Sequence, residues 1–317
     1  MTRRITGDAD ASDDAIARRI ASGEPFWLDL HGVDAADVAM LRDVIRLHPV
    51  ALDDATTTGR RPKIEEYDDM TYLVAFGAAP SPDSDRLVEV HVIYAERFVV
   101  SLHQDASEAI DRVVAHHVRR LDPLGPGPAL LYRLLDALTD SFLPAMDEVE
   151  DEIDAIEAGA LTDPPRHGLQ AEIYGVRRRL LRFRKVVMPQ RDVLAQIAGG
   201  EVALPGVDEN ARRFFRSVED HMIRVGELLD GYRDLLQGAN DLYLSSVSTR
   251  LNAVTKQLTV IAGIFLPMSF ITGFFGQNFG WLVDGVGGPV AFFVLGIGLQ
   301  VLTVAALLLW FRRRGWL

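Results

Sequence analysis

Residues 257–283 read QLTVIAGIFLPMSFITGFFGQNFGWLV, a run without a single charged side chain. One acid, Asp284, follows, and residues 285–311 are again uncharged until Arg312, Arg313 and Arg314 close the chain's apolar end. A helix needs about 20 apolar residues to cross a hydrocarbon layer of roughly 30 Å, so each stretch is long enough to span a membrane. The first stretch is not apolar all round. Asn252, Thr255, Thr259, Ala262, Leu266, Ser269 and Gly273 recur at intervals of three and four, which places them on one helix face. Leu258, Ile261, Ile264, Phe265, Met268 and Phe274 occupy the remaining surface and suit lipid or a partner helix. The small and hydroxyl-bearing face suits water or close helix packing. One helix cannot enclose water, so water on that face requires several copies of the chain.

Outside the hairpin, about 250 of the 317 residues remain for one large or two small soluble domains. There is no cysteine, so disulfides and thiolate metal sites are excluded and any metal must be held by oxygen or imidazole. The N-terminus runs from Met1 into acidic and polar residues with no apolar signal segment, so the large domain is expected to stay in the cytosol. Arg250 and Lys256 precede the first span and three arginines follow the second, whereas the connecting loop has no basic residue. The positive-inside rule then puts both termini in the cytosol of a multi-pass protein of the cytoplasmic (inner) membrane. The formal net charge of −12 makes cations natural partners and nucleic acid an unsuitable one. No nucleotide-binding loop, nucleophile elbow or zinc-protease motif is present, so neither an enzyme nor a nucleotide partner has support.

Residues 1–128 read as a cytosolic α/β domain. Residues 26–30, 71–76, 87–94 and 97–102 are β-branched and aromatic runs, the last two joined by Ala95 and Glu96 as a hairpin. Residues 34–47 and 107–121 have helical spacing, with Asp34 as an N-cap of the first. The proline-rich segment 122–128 separates this part from a helical region, 129–250. There, residues 130–157 read as one helix, another runs from Pro164 to about residue 198, and a long stalk helix occupies about 207–250. Val218, Met222, Val225, Leu229, Tyr232, Leu236, Ala239 and Tyr243 alternate by four and three along it, a heptad-like seam. The first membrane helix is expected at 251–276, an external loop at 277–288, the second membrane helix at 289–311 and a basic cytosolic tail at 312–317.

The first span runs directly into Gly276-Gln277-Asn278. Together with residues 256–273, this resembles the first membrane helix of the CorA family of divalent cation transporters, which ends in Gly-Met-Asn. The segments 47–54, 61–65, 132–136, 232–234 and 243–246 are similar to family motifs in the family's order, so the resemblance covers essentially residues 25–317. It implies a funnel-shaped homopentamer with an α/β N-terminal cytosolic domain, a long stalk helix and two C-terminal transmembrane helices. The lipid bilayer and divalent cations are the other implied partners. The middle position of the tripeptide departs from the family, and the zinc-transporting ZntB branch differs there too. The preferred ion is thus open between magnesium, with cobalt and nickel as companions, and zinc. These ions are the cargo and candidate regulators, and no catalytic cofactor is implied.

The resemblance implies that Gly276, Gln277 and Asn278 form a ring at the outer mouth. Magnesium gives up its water reluctantly, so neutral amide oxygens that hydrogen-bond to the hydration shell suit its capture better than carboxylates. The pore-lining face would be Asn252, Thr255, Thr259, Ala262, Leu266, Ser269 and Gly273, with Leu258 and Leu266 as apolar constrictions. The alternative for that face is helix packing by small residues. Asp147, Glu148, Glu150, Asp151, Glu152, Asp154 and Glu157 make an acidic helix, either a solvated face or a cation-attracting surface opposed by Arg177, Arg178, Arg179, Arg182, Arg184 and Lys185. Ser217 stands where the family often has an acid, which leaves Glu219 and Asp220 as candidate regulatory ligands. Beside the transporter stands a second class, a membrane-anchored cation sensor or scaffold that does not conduct.

Overall fold

The structure is a computed structural model describing residues 2–5, 11–79, 87–116, 124–277, 279–286 and 288–316. Contacts divide the chain into two compact units, Met1–Gly159 with Gly168–Asn240, and Ala160–His167 with Asp241–Leu317.

The first unit is built on a six-stranded sheet of order β1-β2-β6-β5-β4-β3. The strands are β1 (Thr2–Ile5), β2 (Phe26–His31), β3 (Lys63–Tyr67), β4 (Met70–Ala78), β5 (Leu87–Tyr94) and β6 (Phe98–His103). Only the β2–β6 pair is parallel; the other neighbours run antiparallel, so the sheet is mixed. The four strands read from sequence are present, and the hairpin closes with the Ala95 amide donating to the Phe98 carbonyl at 2.9 Å. β1 and β3 had no apolar run to announce them. Among the helices, α1 (Asp13–Ser22), α2 (Ala35–Asp43), α3 (Pro49–Thr56) and α4 (Glu108–His116) connect the strands. Asp34 caps α2 with a full capping box, its carboxylate accepting from the Ala36 and Asp37 amides. The remainder of the expected helix at 107–121, residues 117–121, lies outside the described residues.

The helical region begins with α5 (Pro126–Asp140), which lies against β2, β4 and β6. Gly127 permits this approach, because a Cβ there would stand 2.2 Å from the Glu96 carbonyl oxygen. The expected single helix over 130–157 is in fact two, since α6 (Phe142–Ala160) starts anew after Ser141. The reason is Pro144, whose ring would collide with the Asp140 carbonyl in an unbroken helix and which has no amide to offer it. Ser141, freed from the helix, accepts the Ala78 amide at 2.8 Å. On α7 (Leu169–Gly199), Gln190 exchanges two hydrogen bonds with the Phe76 backbone, at 2.6 and 3.1 Å, just beyond the end of the β3–β4 pairing. Two side chains thus complete the ladder of β4 where no strand continues, and they bind the helical layer to the sheet.

α8 (Glu209–Phe275) is a single helix that contributes to both units. Within the first unit its seam residues Val218, Met222, Val225, Leu229, Tyr232, Leu236 and Ala239 are buried. They pack on helices of the same chain: Tyr232 donates to Glu150 of α6 at 2.6 Å, and Arg184 of α7 pairs with Asp230. The heptad-like spacing therefore serves an intramolecular bundle at these positions.

The sheet also buries charge. The carboxylate of Asp29 on β2 accepts from Arg4 at 2.6 and 3.1 Å, from the Ser101 hydroxyl at 2.6 Å and from His103 Nε2 at 3.1 Å. His103 Nδ1 faces the Asp105 carbonyl at 2.6 Å. Both ring nitrogens face acceptors, an arrangement that favours the doubly protonated ring. Burial opposes that charge, but the hydrogen bond and proximity of Asp29 outweigh it and raise the His103 pKa above its ordinary value. Burial likewise opposes the Asp29 carboxylate, which His103, Ser101 and Arg4 nonetheless hold below the usual range.

A group whose pKa is raised in the folded state stabilises fully below its unfolded pKa, about 6.5 for histidine, and ceases to do so as pH rises through the raised value. The urea midpoint of the chain in detergent, followed by exchange of the β2 and β6 amides, should therefore fall as pH is raised above neutrality. His103→Gln should flatten that slope. Parallel slopes in the two proteins would show that the ring is not charged in the folded state.

Candidate functional site

The C-terminal part of α8 loses its charges after Lys256, and two of its hydroxyls are satisfied along the helix. Thr259 Oγ1 donates to the Thr255 carbonyl at 2.8 Å and Thr272 Oγ1 to the Met268 carbonyl at 2.9 Å, so neither leaves an unpaired donor in an apolar setting. The second long apolar helix, α10 (Pro289–Arg313), lies alongside it. By length and composition both are able to cross a membrane. Three contacts set their antiparallel register. Lys256 Nζ donates to the Gly315 carbonyl at 2.7 Å, Phe311 packs on Gly263, and Gln300 Nε2 donates to Thr272 Oγ1 at 2.8 Å. Phe311 is only 4% exposed, and a Cβ on Gly263 would reach its ring at 3.0 Å. Glycine is the residue that leaves room for this ring against the α8 backbone.

The face of α8 turned to α10 is Val260, Gly263, Ile264, Pro267, Met268 and Ile271, all buried or half-buried. Asn252, Thr255, Leu258, Thr259, Ala262, Leu266, Ser269 and Gly273 are all exposed within the chain, Leu258 at 66% and Leu266 at 70%. The two sets lie on different sides of the helix, so α10 does not cover the small and hydroxyl-bearing stripe. Pro267 falls on the covered side and leaves the Gly263 carbonyl without its helical amide partner.

At the end of α8 the Gly276 amide donates to the Thr272 carbonyl at 3.0 Å and the Gln277 amide to the Phe274 carbonyl at 3.3 Å. Gly276 and Gln277 are exposed; Asn278 lies outside the described residues. A short helix, α9 (Gly280–Gly285), follows and carries the exposed Asp284, the one acid of the loop.

In the first unit, α6 presents its acids outward. Asp147, Glu148, Glu150, Asp151 and Asp154 are exposed and Glu152 and Glu157 half-buried, while Met146, Val149, Ile153 and Ile156 face the bundle. Of the facing basic residues, Arg179 pairs with Glu152 at 2.8 Å, whereas Arg184 turns to Asp230 of α8. Glu219 is half-buried and Asp220 exposed. The residue the structure brings into a polar cluster is instead their neighbour His221, whose Nδ1 lies 3.0 Å from Asp140 and 4.0 Å from Asp136 of α5. Burial and then the proximity of Asp140 raise the Asp136 pKa above the ordinary carboxylate range. Sequence spacing could not find this cluster, because its members are some 80 positions apart along the chain. Gln300 was also missed, although it is the one amide side chain of residues 285–311.

Residues 22–313 match the family described as CorA-like Mg2+ transporter protein. The chain belongs to this family. Its members are transporters of divalent metal ions and not enzymes, and the two apolar C-terminal helices are its membrane segments. The chain is 29% identical to the cobalt/magnesium transport protein CorA of Thermotoga maritima, over 93% of this chain and 84% of that one. It is 28% identical to the zinc transport protein ZntB of Yersinia pseudotuberculosis, over 96% and 91%. The complete structure of the CorA magnesium transporter from Methanocaldococcus jannaschii superposes with a TM-score of 0.81 at 23% identity, covering 93% of this chain and 92% of that one. The expected fold class, an α/β domain followed by a long helix and a C-terminal apolar helix pair, is thus the one observed.

The close approach at Gly263 has a direct consequence for stability. Gly263→Val should destabilise the helix pair by about 1–3 kcal/mol through overpacking, seen as a lower unfolding midpoint in detergent. Adding Phe311→Ala to it should restore most of the loss by making room. If the second substitution restores nothing, Gly263 is needed for something other than the Phe311 ring.

Proposed function

We propose that this chain moves hydrated divalent cations through a pore made by five copies of itself, with magnesium as the first cargo and cobalt and nickel as companions. The observation that carries this reading is the stripe from Asn252 to Gly273, eight small, hydroxyl-bearing, amide or leucine positions left uncovered by the second span. Hydroxyl groups facing lipid would be wasted, whereas copies arranged around an axis give them water to face. Leu258 and Leu266 narrow the path as apolar constrictions that close by dewetting, and Asn252 supplies a polar ring at the cytosolic end. Gly276, Gln277 and Asn278 form the outer mouth, where amide oxygens hold the ion's hydration shell without trapping the ion. Gln277 adds an amide where methionine would be apolar.

The acidic face of α6 raises the local cation concentration in the cytosolic part. With both termini in the cytosol, an inward-negative potential provides roughly 2.3 kcal/mol per charge per 100 mV, and about twice that for a divalent ion, so transport needs no nucleotide. Zinc is the competing cargo, supported by the similar identity to a protein named as a zinc transporter and by the altered middle residue of the tripeptide.

Uptake into liposomes holding the purified chain, with magnesium, cobalt and zinc in competition, tests the reading. Asn278→Ala should abolish magnesium uptake with the pentamer intact on native mass measurement, and Gln277→Met should preserve it. Undiminished flux in Asn278→Ala removes the mouth assignment. A pentamer that moves none of the three ions makes the chain a cation sensor, and a monomer or dimer in membranes refutes the pore.

A further inference from the structure

The second span carries one amide, Gln300, in a stretch where the other polar side chain is Thr303. An amide in hydrocarbon is unfavourable unless it is hydrogen-bonded, and Gln300 Nε2 meets this demand across the hairpin by donating to Thr272 Oγ1 at 2.8 Å. Thr272 is a junction. Its hydroxyl passes its own proton to the Met268 carbonyl at 2.9 Å, and its backbone carbonyl accepts the Gly276 amide at 3.0 Å. Gly276 is held so closely there that a Cβ on it would sit 3.1 Å from that same carbonyl. Two successive hydrogen bonds therefore join the second span to the first residue of the mouth tripeptide.

Gln300 lies eleven residues before Phe311 in the regular part of α10, about 20° round the helix from it, and so shares the face that packs against α8. Residues Phe292–Gly298 form a π-helical segment, and the Leu299 amide donates to the Val294 carbonyl five residues back. The covered positions of α10 are Phe311, Leu307, Val304, Thr303, Gln300 and Gly296 at helical spacing, and then Ala291, five residues earlier. In a regular helix of about 100° per residue, nine steps back from Gln300 would place Ala291 about 180° away, on the far side from α8. The additional residue in the π segment brings Ala291 back to within roughly 80° of Gln300, toward the face that packs against α8.

We propose that Gln300 is a positioning residue: from the second span it sets the rotation and height of the last turn of α8, and so the direction in which Gly276 and Gln277 leave the membrane. The inference rests on the reading of that tripeptide as the outer mouth.

Two measurements on the full-length chain separate the inference from the reading beneath it. The first is the dependence of liposome uptake on external magnesium; the second is amide hydrogen exchange at Gly276 and Gln277. Gln300→Leu and Thr272→Val should each raise the half-saturating magnesium concentration by about three- to ten-fold, the range set by measured hydrogen bonds between membrane helices, and leave the maximal rate near wild type. Thr272→Ser, which keeps the hydroxyl, should behave as wild type. The double variant Gln300→Leu/Thr272→Val should be no worse than the weaker single variant, because the two act as a unit. Exchange at both amides should quicken in Gln300→Leu and stay unchanged in Thr303→Val, whose hydroxyl bonds only within its own helix, to the Leu299 carbonyl. Unchanged exchange in Gln300→Leu, or independent and additive effects of the two substitutions, overturns the positioning role even where transport is normal. Quickened exchange in a chain that moves no magnesium upholds the positioning of the turn and overturns the transport reading instead.

Discussion

Within a hydrocarbon layer, polar groups must find partners, and the first span answers that constraint in two ways. The hydroxyls of Thr259 and Thr272 return their protons to the helix backbone, at 2.8 and 2.9 Å. Their neighbours on the uncovered stripe are kept away from the second span altogether. Apolar contact is assigned to the opposite side, where Val260 is buried and Phe311 seats against the bare backbone of Gly263. The division of one helix into a packed side and an unpartnered side follows from this.

The same accounting governs the first unit in an aqueous setting. Strand β4 outruns its partner β3, and the exposed ladder positions are taken by Gln190 and Ser141 from two helices. A strand edge that would otherwise need water becomes the seam between sheet and helices. The buried Asp29 carboxylate is handled likewise, surrounded by Arg4, Ser101 and His103, so that the charge is compensated from both neighbouring strands, β1 and β6. β1 is short and mostly polar, and it holds its place partly through these bonds, with Arg3 also pairing with Asp37.

What could be read from the sequence was whatever carried a period or a local cap. The β-branched runs of β2, β4, β5 and β6, the Asp34 cap, the two uncharged stretches and the stripe between Asn252 and Gly273 all have such a signature. β1 and β3 do not, because residues such as Arg3, Arg4, Lys63, Glu65 and Glu66 are admitted to strands only by tertiary ion pairs and edge position. The split between α5 and α6 was legible in principle, since Pro144 stands four residues after Asp140. The cluster of His221 with Asp140 and Asp136 was not, because it exists only once α5 and α8 are packed together.

The π segment of α10 is the clearest case in which periodicity misleads. Residues 285–311 are apolar nearly throughout, so no polar face reveals the phase of the helix, and a helix of constant pitch carried back from Phe311 assigns the wrong face to everything before Gly296. What marks the site is chemical: an amide is placed where hydrocarbon does not tolerate it, three residues upstream of Thr303 and beside two glycines, Gly296 and Gly298, that relax the backbone. That polar group needs a partner, and the regular turns between Gln300 and Phe311 aim it at Thr272. The π segment ends just before the turn that carries Gln300, whose bond to Thr272 is the one hydrogen bond between side chains of the two spans among the described residues, and it keeps Ala291 on the packed side of the helix.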